Sequence, residues 1–348
     1  MLNFHLHHFG HNAVRLKPLL NLVGDRLYSL PMLVLYLTDG CNSKCATCDI
    51  WKNPRRNMPM QLVRELVDTA AEIGTRWVLF SGGEAMQHPQ WAEIARLFKE
   101  KNIRVMLLTN GLLVRKQAKD IGETIDDLFV SLDGGNAATY EAIRGVDAFD
   151  LILQGICEVA KQGIPVSTRT TVQRANFREI PQITDVALAA GASQVSFLAM
   201  DTSNPYAFGE RNLNLQDDWT QEEDRELETV LDDFTVSHAQ AFTDGKIAES
   251  PAKLRRILLD YVSGKETFAA PRCNAPHFST VVEVDGTVRP CYFLPSYGRL
   301  KPQGEKLTDV VNTSAAQQLR HAYRTGQRAE CARCVCPLYR GARSLVTM

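Results

Sequence analysis

From residue 33 to about residue 200, short apolar runs alternate with longer amphipathic stretches. Short runs rich in β-branched and other apolar residues predict buried strands, here at 33–37, 77–80, 105–109, 128–132, 167–172 and 195–198. The stretches between them carry apolar residues at helical spacing. They predict helices at roughly 60–73, 90–101, 113–121, 148–162 and 178–190.

This alternation predicts an α/β fold with parallel strands and helices packed outside the sheet. Six strand–helix units are enough for a curved, partly closed TIM-like barrel, but fewer than the eight of a complete one. The polar motifs of this region follow the predicted strands. In parallel α/β folds that edge of the sheet is where ligands bind.

After about residue 200 the alternation stops. Residues 201–217 are polar and irregular, whereas 220–236 and 250–263 predict surface helices. Farther on, Asp285-Gly286 separates two strand-like runs, which is a strong signal for a β-hairpin. We therefore divide the chain into an N-terminal extension (1–32), a barrel (33–200), a helical linker region (201–272) and a small C-terminal α+β domain (273–348).

The composition is that of an ordinary globular protein, with 45% hydrophobic and 23% charged residues among 348. The net charge of −1 gives no reason to expect a nucleic acid or an anionic membrane as a partner. No apolar run is long enough for a membrane span. The first 24 residues lack the continuous apolar segment of a signal peptide, so we expect a cytoplasmic, reducing location.

The chain carries nine cysteines, most of them in two groups. The first group follows the first predicted strand and consists of Cys41, Cys45 and Cys48. The second lies near the C-terminus and consists of Cys273, Cys291, Cys331, Cys334 and Cys336. In a reducing compartment such clusters are more typical of metal ligands than of disulfides. The remaining cysteine, Cys157, is expected to be a buried structural thiol.

Three thiolates on one tight loop can hold three irons of a four-iron cluster and leave the fourth iron open. A zinc or disulfide site would normally use two or four cysteines, not three. In the second group, the spacing alone fits a zinc ribbon and an iron–sulfur cluster equally well.

Three further motifs follow the second, third and fourth predicted strands: Gly82-Gly83-Glu84, Thr109-Asn110-Gly111, and Ser131-Leu132-Asp133-Gly134 with Ile143-Arg144-Gly145 downstream. Together with the cysteine loop, in this order and spacing, they make residues 33 to about 200 resemble the radical S-adenosylmethionine (SAM) superfamily.

The resemblance implies that Cys41, Cys45 and Cys48 hold a [4Fe-4S] cluster whose open iron binds the amino and carboxylate groups of SAM. It also implies two sets of SAM contacts. Gly82, Gly83 and Glu84 would meet the methionine amino group, and Ser131 and Asp133 would contact the ribose or the carboxylate. The family usually has an aromatic residue where this chain has Thr47. Ile50 and Trp51 are the candidates to replace part of that adenine contact.

The C-terminal cysteines resemble those of the Twitch module, a shortened SPASM domain. This resemblance implies an auxiliary [4Fe-4S] cluster on Cys273, Cys291, Cys331 and Cys334. Cys336 is an alternative to Cys334, or a free thiol near the substrate cavity.

The family's chemistry implies reductive cleavage of SAM to a 5′-deoxyadenosyl radical, which abstracts hydrogen from a substrate carbon. Thiolate-held clusters reach potentials as low as about −700 mV, and binding SAM at the open iron makes the electron transfer intramolecular. The auxiliary cluster is expected to accept the electron of the substrate radical. An external reductant such as a flavodoxin or ferredoxin is implied.

Three hypotheses about the function remain open at this point. A small polar molecule such as a sugar, cyclitol or nucleotide is favoured, and Arg169 and Asp201 are the candidate substrate contacts. A peptide maturase is the first alternative. Such enzymes often carry an N-terminal recognition domain, and only about 32 residues precede the first strand here. A non-catalytic zinc-ribbon binding module is the alternative of another class.

Overall fold

The computed structural model describes residues 17–201, 204, 206–208, 219–262, 273–301, 304–332 and 334–347. All six predicted strands are confirmed within one or two residues at each end. They are β1 (Met32–Thr38), β2 (Trp77–Gly82), β3 (Arg104–Thr109), β4 (Asp127–Ser131), β5 (Val166–Val172) and β6 (Gln194–Ala199). Each pairs in parallel with the next along the chain.

Helices connect these strands. They are α1 (Met60–Glu72), α2 (Trp91–Glu100), α3 (Ala118–Thr124), α4 (Ala137–Arg144), α5 (Phe149–Ala160) and α6 (Ile180–Ala189). Helix α3 begins later than expected, since the residues before it form turns. Helix α4 was not predicted. The Asn136 side chain caps it by accepting a hydrogen bond from the Thr139 N–H, and Gly145 ends it in the left-handed conformation.

The C-terminal region contributes three more strands: β7 (Ser279–Val282), β8 (Thr287–Arg289) and β9 (Gly298–Arg299). Strands β7 and β8 form the predicted hairpin, and Gly286 adopts the positive φ of 86° that its turn requires. Strand β7 also pairs in parallel with β1, on the side away from β2. The described part of the sheet therefore has nine strands in the order β6-β5-β4-β3-β2-β1-β7-β8-β9 and is not closed.

The remaining described helices lie beyond the barrel strands. They are α7 (Gln221–Ser237), α8 (Ala239–Thr243), α9 (Pro251–Leu254), α10 (Leu307–Val310), α11 (Ser314–Arg324), α12 (Ala329–Ala332) and α13 (Ala342–Thr347). Helix α7 confirms the expectation for 220–236. Helix α9 continues as a π-helix over Arg255–Asp260. None of the helices in the described ranges is both long and apolar enough to cross a membrane.

Two apolar cores lie on opposite faces of the sheet because successive strand side chains point to opposite sides. On β1, Leu33 and Leu35 face outward under the helices, whereas Met32 and Val34 face the barrel interior. The interior core also includes Phe278 and residues around the hairpin. The inward faces therefore form one lumen, whose two ends carry the two cysteine groups.

Candidate functional site

The loop that carries Cys41, Cys45 and Cys48 packs directly against the loop that follows β2. The Gly83 N–H donates to the Thr38 carbonyl and the Glu84 N–H donates to the Gly40 carbonyl, both at 2.8 Å. A Cβ atom on Gly83 would lie 2.3 Å from the Gly40 carbonyl oxygen, and one on Gly82 would lie 2.5 Å from that of Thr38. The two glycines therefore allow a backbone contact that any side chain would prevent.

The Glu84 carboxylate is buried and braces the end of β3. Its Oε1 accepts hydrogen bonds from the Met86 N–H and the Thr109 hydroxyl, and its Oε2 accepts one from the Asn110 N–H at 2.7 Å. Burial raises the pKa of Glu84, while these hydrogen bonds oppose that change. Glu84 thus fixes the relative positions of the loops after β2 and β3. Its contact with a SAM amino group stays a prediction.

The three loop thiols lie in a partly buried, polar setting. The Asn110 amide reaches to 3.7 Å from the Cys41 sulfur, and the Ser43 hydroxyl lies 3.2 Å from the Cys45 sulfur. Burial raises the pKa of Cys41 and raises that of Cys48 to about 11. Metal binding must therefore displace protons from these thiols. Three neighbouring soft donors, half-shielded from water, fit an iron–sulfur cluster.

Arg144 is a site residue to which the sequence motif assigned no role. It lies at the end of α4, its side chain is 12% exposed, and it forms a 3.0 Å ion pair with Asp133. Although burial opposes its charge, the nearby Cys45 and Asp133 raise the pKa of Arg144 above its usual range. This guanidinium offsets negative charge beside the cysteine loop. The motif Ile143-Arg144-Gly145 drew attention to this position, but a sequence does not show which groups an arginine contacts.

The predicted contacts on β4 lie at the same end of the barrel. Ser131 is half-buried on β4, opposite Arg169 on β5. Asp133 is buried, and its second carboxylate oxygen accepts a hydrogen bond from the Thr171 N–H at 2.7 Å. Asp133 therefore ties β5 to α4 through Arg144. Direct contacts of Ser131 and Asp133 with SAM stay predictions.

Trp51 lies on a short 3₁₀ helix, Ile50–Lys52, just after the third cysteine. The ammonium groups of Lys44 and Lys52 lie 6.0 and 5.4 Å from its ring centroid, and its indole N–H is buried without a hydrogen-bond partner. The ring is thus held beside the cysteine loop, where an adenine contact was expected. That contact itself stays a prediction.

The five C-terminal cysteines converge at the opposite end of the barrel. They all line a cavity of about 300 Å³, together with residues from the first halves of the strands, among them Met32, Trp77 and Phe129. Burial raises the pKa of Cys331 to about 11 and raises the pKa of Cys291 and Cys334 further. Cys336 lines the cavity with the four expected ligands, so its role stays open. Several thiols around one partly enclosed space fit an auxiliary cluster.

All nine cysteines are free of disulfides. Within the described ranges, no group of three or more Cys, His, Asp or Glu side chains is placed to hold a single metal ion. Cys157 is half-buried, since the buried face of α5 consists of residues such as Ile152, Ile156 and Val159. The prediction of a buried thiol there was wrong, because Cys157 lies beside this buried face and not in it.

A stacked tyrosine pair lies inside the barrel. Tyr36 on β1 stacks on Tyr292 with ring centroids 5.9 Å apart and an interplanar angle of 28°. Tyr36 lies near the end of β1 that leads into the cysteine loop, whereas Tyr292 directly follows Cys291 and lines the cavity of the C-terminal cysteines. Burial raises the pKa of both phenols, so both stay neutral at ordinary pH. Sequence analysis missed this pair, although Tyr36 continues the inward alternation of β1.

The two predicted substrate contacts lie at different heights in the barrel. Arg169, inside β5, lines the cavity of the C-terminal cysteines, and its Nε is buried without a hydrogen-bond partner. Asp201 follows β6 at the other end, where its carboxylate accepts a hydrogen bond from the Asn204 N–H at 2.9 Å. The structure therefore does not bring Arg169 and Asp201 together.

Family comparisons agree with this geometry. The model of the radical SAM superfamily matches residues 35–187, and that of the SPASM iron–sulfur cluster-binding domain matches residues 273–335. Residues 35–187 are therefore a radical SAM domain. Its two matched regions contain, respectively, the cysteine loop and the first four of the five C-terminal cysteines.

Among curated relatives, the AdoMet-dependent heme synthase of Methanosarcina barkeri is 34% identical over 169 residues, or 47% of this chain and 48% of the relative. The chain therefore spans about half the length of that protein. The Fe-coproporphyrin III synthase of the same organism is 28% identical over 326 residues, or 87% of this chain and 80% of the relative. A probable GTP 3′,8-cyclase of Saccharolobus islandicus is 26% identical over 59% of this chain and 65% of its own length.

Two solved structures share the fold over most of the chain. Streptococcus suis SuiB bound to its precursor peptide SuiA has a TM-score of 0.65 and 15% identity, covering 92% of this chain and 73% of SuiB. The structure of anSMEcpe with bound AdoMet has a TM-score of 0.64 and 19% identity, covering 88% of this chain and 89% of anSMEcpe. At these identities the likeness concerns the fold.

These matches confirm the predicted superfamily, the partial barrel and the iron–sulfur domain at the C-terminus. The protein is therefore an enzyme, and the non-catalytic binding module is excluded. The superfamily and the SPASM domain imply SAM and iron–sulfur clusters as cofactors.

Proposed function

We propose that this enzyme cleaves SAM reductively, abstracts a hydrogen atom from a small-molecule substrate and oxidises the resulting radical through an auxiliary [4Fe-4S] cluster. Cys41, Cys45 and Cys48 would hold the SAM-binding cluster, and four of the five C-terminal cysteines would hold the auxiliary one. When bound, the first cluster supplies the electron that splits SAM and the second accepts the electron of the substrate radical. An external donor such as a flavodoxin or ferredoxin would supply the first electron.

One observation carries this proposal: the two thiol groups lie at opposite ends of a single barrel lumen. The C-terminal group lines the interior cavity, the cysteine loop follows the far end of β1, and stacked Tyr36 and Tyr292 lie in between. The apolar wall of Met32, Val34 and Phe278 keeps water from the space in which a reactive carbon radical would form. A substrate in this lumen lies between a radical source and an electron acceptor.

A small-molecule substrate is favoured over a peptide. The relatives with the better sequence matches are named as synthases of heme and Fe-coproporphyrin III and as GTP cyclases. The match to the Fe-coproporphyrin III synthase covers 87% of this chain and so extends from the barrel into the C-terminal region. We therefore favour an anionic small molecule of the tetrapyrrole or nucleotide type. The peptide-bound SuiB shares the fold but only 15% identity, which supports no conclusion about substrate.

The first test is metal analysis and SAM turnover on anaerobically purified protein. We expect about eight irons and eight sulfides per chain, since two four-iron clusters are proposed. With dithionite and SAM the wild type should release 5′-deoxyadenosine. A Cys45→Ala variant should retain about four irons in its auxiliary cluster and release none.

The control is Cys157→Ala, which removes a half-buried thiol outside both groups. It should leave iron content and 5′-deoxyadenosine release unchanged. Zinc in place of iron, or undiminished release by Cys45→Ala, would refute the proposal. Transfer of deuterium from a labelled tetrapyrrole or nucleotide into 5′-deoxyadenosine would identify the substrate type, and transfer from a peptide alone would refute the small-molecule assignment.

A further inference from the structure

A second cavity, of about 730 Å³, opens beside the chamber of the C-terminal cysteines. It lies at the starting ends of β5 and β6, and its walls include Phe129, Arg169, Glu249, Lys253 and Arg340. The same five residues also line the cysteine chamber, so the two spaces adjoin. No cysteine is among the described residues of this outer cavity. A cluster in the chamber would therefore leave the outer cavity available to another molecule.

The charges around the outer cavity are unbalanced. Its described lining carries four cations, Arg169, Lys253, Arg256 and Arg340, and a single carboxylate, Glu249. Both carboxylate oxygens of Glu249 already accept hydrogen bonds from the protein. One accepts a hydrogen bond from the Ser196 hydroxyl at 3.1 Å, and the other accepts one from the Phe197 N–H at 3.0 Å. Lys253 lies 3.5 Å from Glu249, so the described lining holds no second carboxylate for Arg169 or Arg340.

Two of these arginines hold buried donors that nothing in the described structure satisfies. The Nε atoms of Arg169 and Arg340 are both buried and have no hydrogen-bond partner. An unmet buried donor on a charged group carries a large desolvation penalty. Burial also lowers the pKa of Arg340. Both groups line the same two spaces, so one anionic ligand could satisfy both.

The wall that carries Arg340 is preformed and joined to the auxiliary site. Asn274 holds it through three hydrogen bonds: its side chain donates to the Arg340 carbonyl and accepts from the Arg340 N–H, both at 2.8 Å, and its own N–H donates to the Leu338 carbonyl at 3.0 Å. Asn274 directly follows Cys273. The Arg340 guanidinium also lies 5.6 Å from the Trp77 ring centroid. Such bracing reduces the ordering cost of binding.

We propose that this outer cavity, the anion mouth, binds the carboxylate or phosphate groups of the substrate, with Arg169, Lys253 and Arg340 as the recognising cations. The inference rests on the proposed function and deepens it. Guanidinium forks match planar oxyanions, and Phe129, Pro337 and Leu338 offer apolar surface to an aromatic body. The substrate class is therefore a multiply anionic small molecule with a flat apolar ring, held beside the auxiliary cluster.

Binding is measured on the cluster-loaded, oxidised protein by equilibrium dialysis, without reductant, so that no turnover is required. The probes are Fe-coproporphyrin III, its tetramethyl ester and GTP. We expect saturable binding of the porphyrin or of GTP, and binding of the ester roughly tenfold weaker than that of the free acid. Arg340→Gln and Lys253→Gln should each weaken binding of the anionic probe roughly tenfold.

Two variants separate charge recognition from damage to the fold. Arg340→Lys keeps the charge and should retain much of the affinity lost in Arg340→Gln. Arg64→Gln removes an exposed arginine paired with Glu93 and should bind like the wild type. The proposal is overturned if neither anionic probe binds, or if Arg340→Gln leaves anion binding unchanged. It is also overturned if Arg340→Gln only lowers the iron content of the auxiliary cluster or only shifts the potential of that cluster. Either result would mean that Arg340 balances the charge of the cluster and does not bind the substrate.

Release of 5′-deoxyadenosine from SAM in the absence of substrate reports separately on the proposed function. If release persists while probe binding fails, only the anion mouth is wrong. If the wild type binds the probe, Arg340→Gln weakens that binding and no 5′-deoxyadenosine is released, the radical chemistry is wrong and the anion site is supported.

Discussion

At the scale of single residues, the site depends on the absence of side chains as much as on their presence. The backbone conformation of Gly83 is one that any residue can adopt. Glycine is required because an added Cβ would lie 2.7 Å from the Gly40 carbonyl carbon in the neighbouring loop. Backbone cannot move aside as a flexible side chain can. The cysteine loop would have to shift instead.

Gly83→Ala should therefore displace the cysteine loop and impair the SAM-binding cluster while sparing the auxiliary one. We expect iron content to fall from about eight to about four per chain, and 5′-deoxyadenosine release to fall at least about tenfold. Gly24→Ala is the matched control because no atom lies within 4 Å of its Cβ position. Full iron loading in Gly83→Ala would show that the loop can adapt.

At the scale of elements, helix α7 shows how local sequence sets a boundary. The Glu223 N–H donates to the Thr220 hydroxyl at 3.2 Å, and the Glu223 carboxylate accepts from the Thr220 N–H at 2.9 Å. This reciprocal pair is a capping box, and the acidic residues of the first turn favour the helix dipole. The cap also joins the barrel, because Arg174 forms an ion pair with Glu223.

Thr220→Ala should lower the free energy of unfolding by about 1 kcal/mol, since it removes the cap. Chemical denaturation monitored by circular dichroism measures this change. Thr229→Ala, inside the same helix on an exposed position, should change the stability by less than about 0.5 kcal/mol. Equal losses in both variants would mean that the cap contributes nothing beyond helix propensity.

At the scale of the whole molecule, the N-terminal segment joins the C-terminal region. The Asn21 amide donates to the carbonyls of Ser29 and His277, both at 2.8 Å, and Asp25 pairs with Arg324 at 3.0 Å. The His277 side chain is buried beside Tyr323. Burial, followed by the nearby Arg320 charge, lowers the pKa of His277 to about 4.

Acid should therefore loosen this junction. Below pH 6.5 the unfolded chain binds a proton at His277, whereas the folded protein does so only near pH 4. The unfolded state thus gains stability as pH falls from 6.5 to 4, by at most about 3.5 kcal/mol, because one pKa unit corresponds to about 1.4 kcal/mol. The free energy of unfolding, measured across this range, should fall less steeply in His277→Gln.

His321→Gln is the comparison for this pH effect. His321 is 55% exposed and pairs with Asp25 at 3.0 Å, so it lacks the buried setting of His277. His321→Gln should therefore flatten the pH profile less than His277→Gln does. A His277→Gln profile with the wild-type slope would assign the acid sensitivity to other groups.

Much of the fold could be predicted because local pattern and tertiary context agree in the barrel. Strands β1 to β6 are buried apolar runs, and their helices carry amphipathic faces. Helix α4 escaped prediction because its eight residues are too few for a clear helical pattern. The pairing of β7 with β1 escaped too, since it joins positions about 250 residues apart.

The sequence by itself determined the chemistry of the donors: thiols grouped by local spacing, and glycines next to them. Local spacing is preserved in any fold, so such groups survive folding unchanged. Only the tertiary structure decided what the groups face. It set the two cysteine groups at opposite ends of one lumen, stacked Tyr36 on Tyr292 between them, and left Arg169 and Arg340 with unmet donors in a shared cavity. Those relations join distant segments, and they exist only once β7 lies against β1 and burial removes water from the charges.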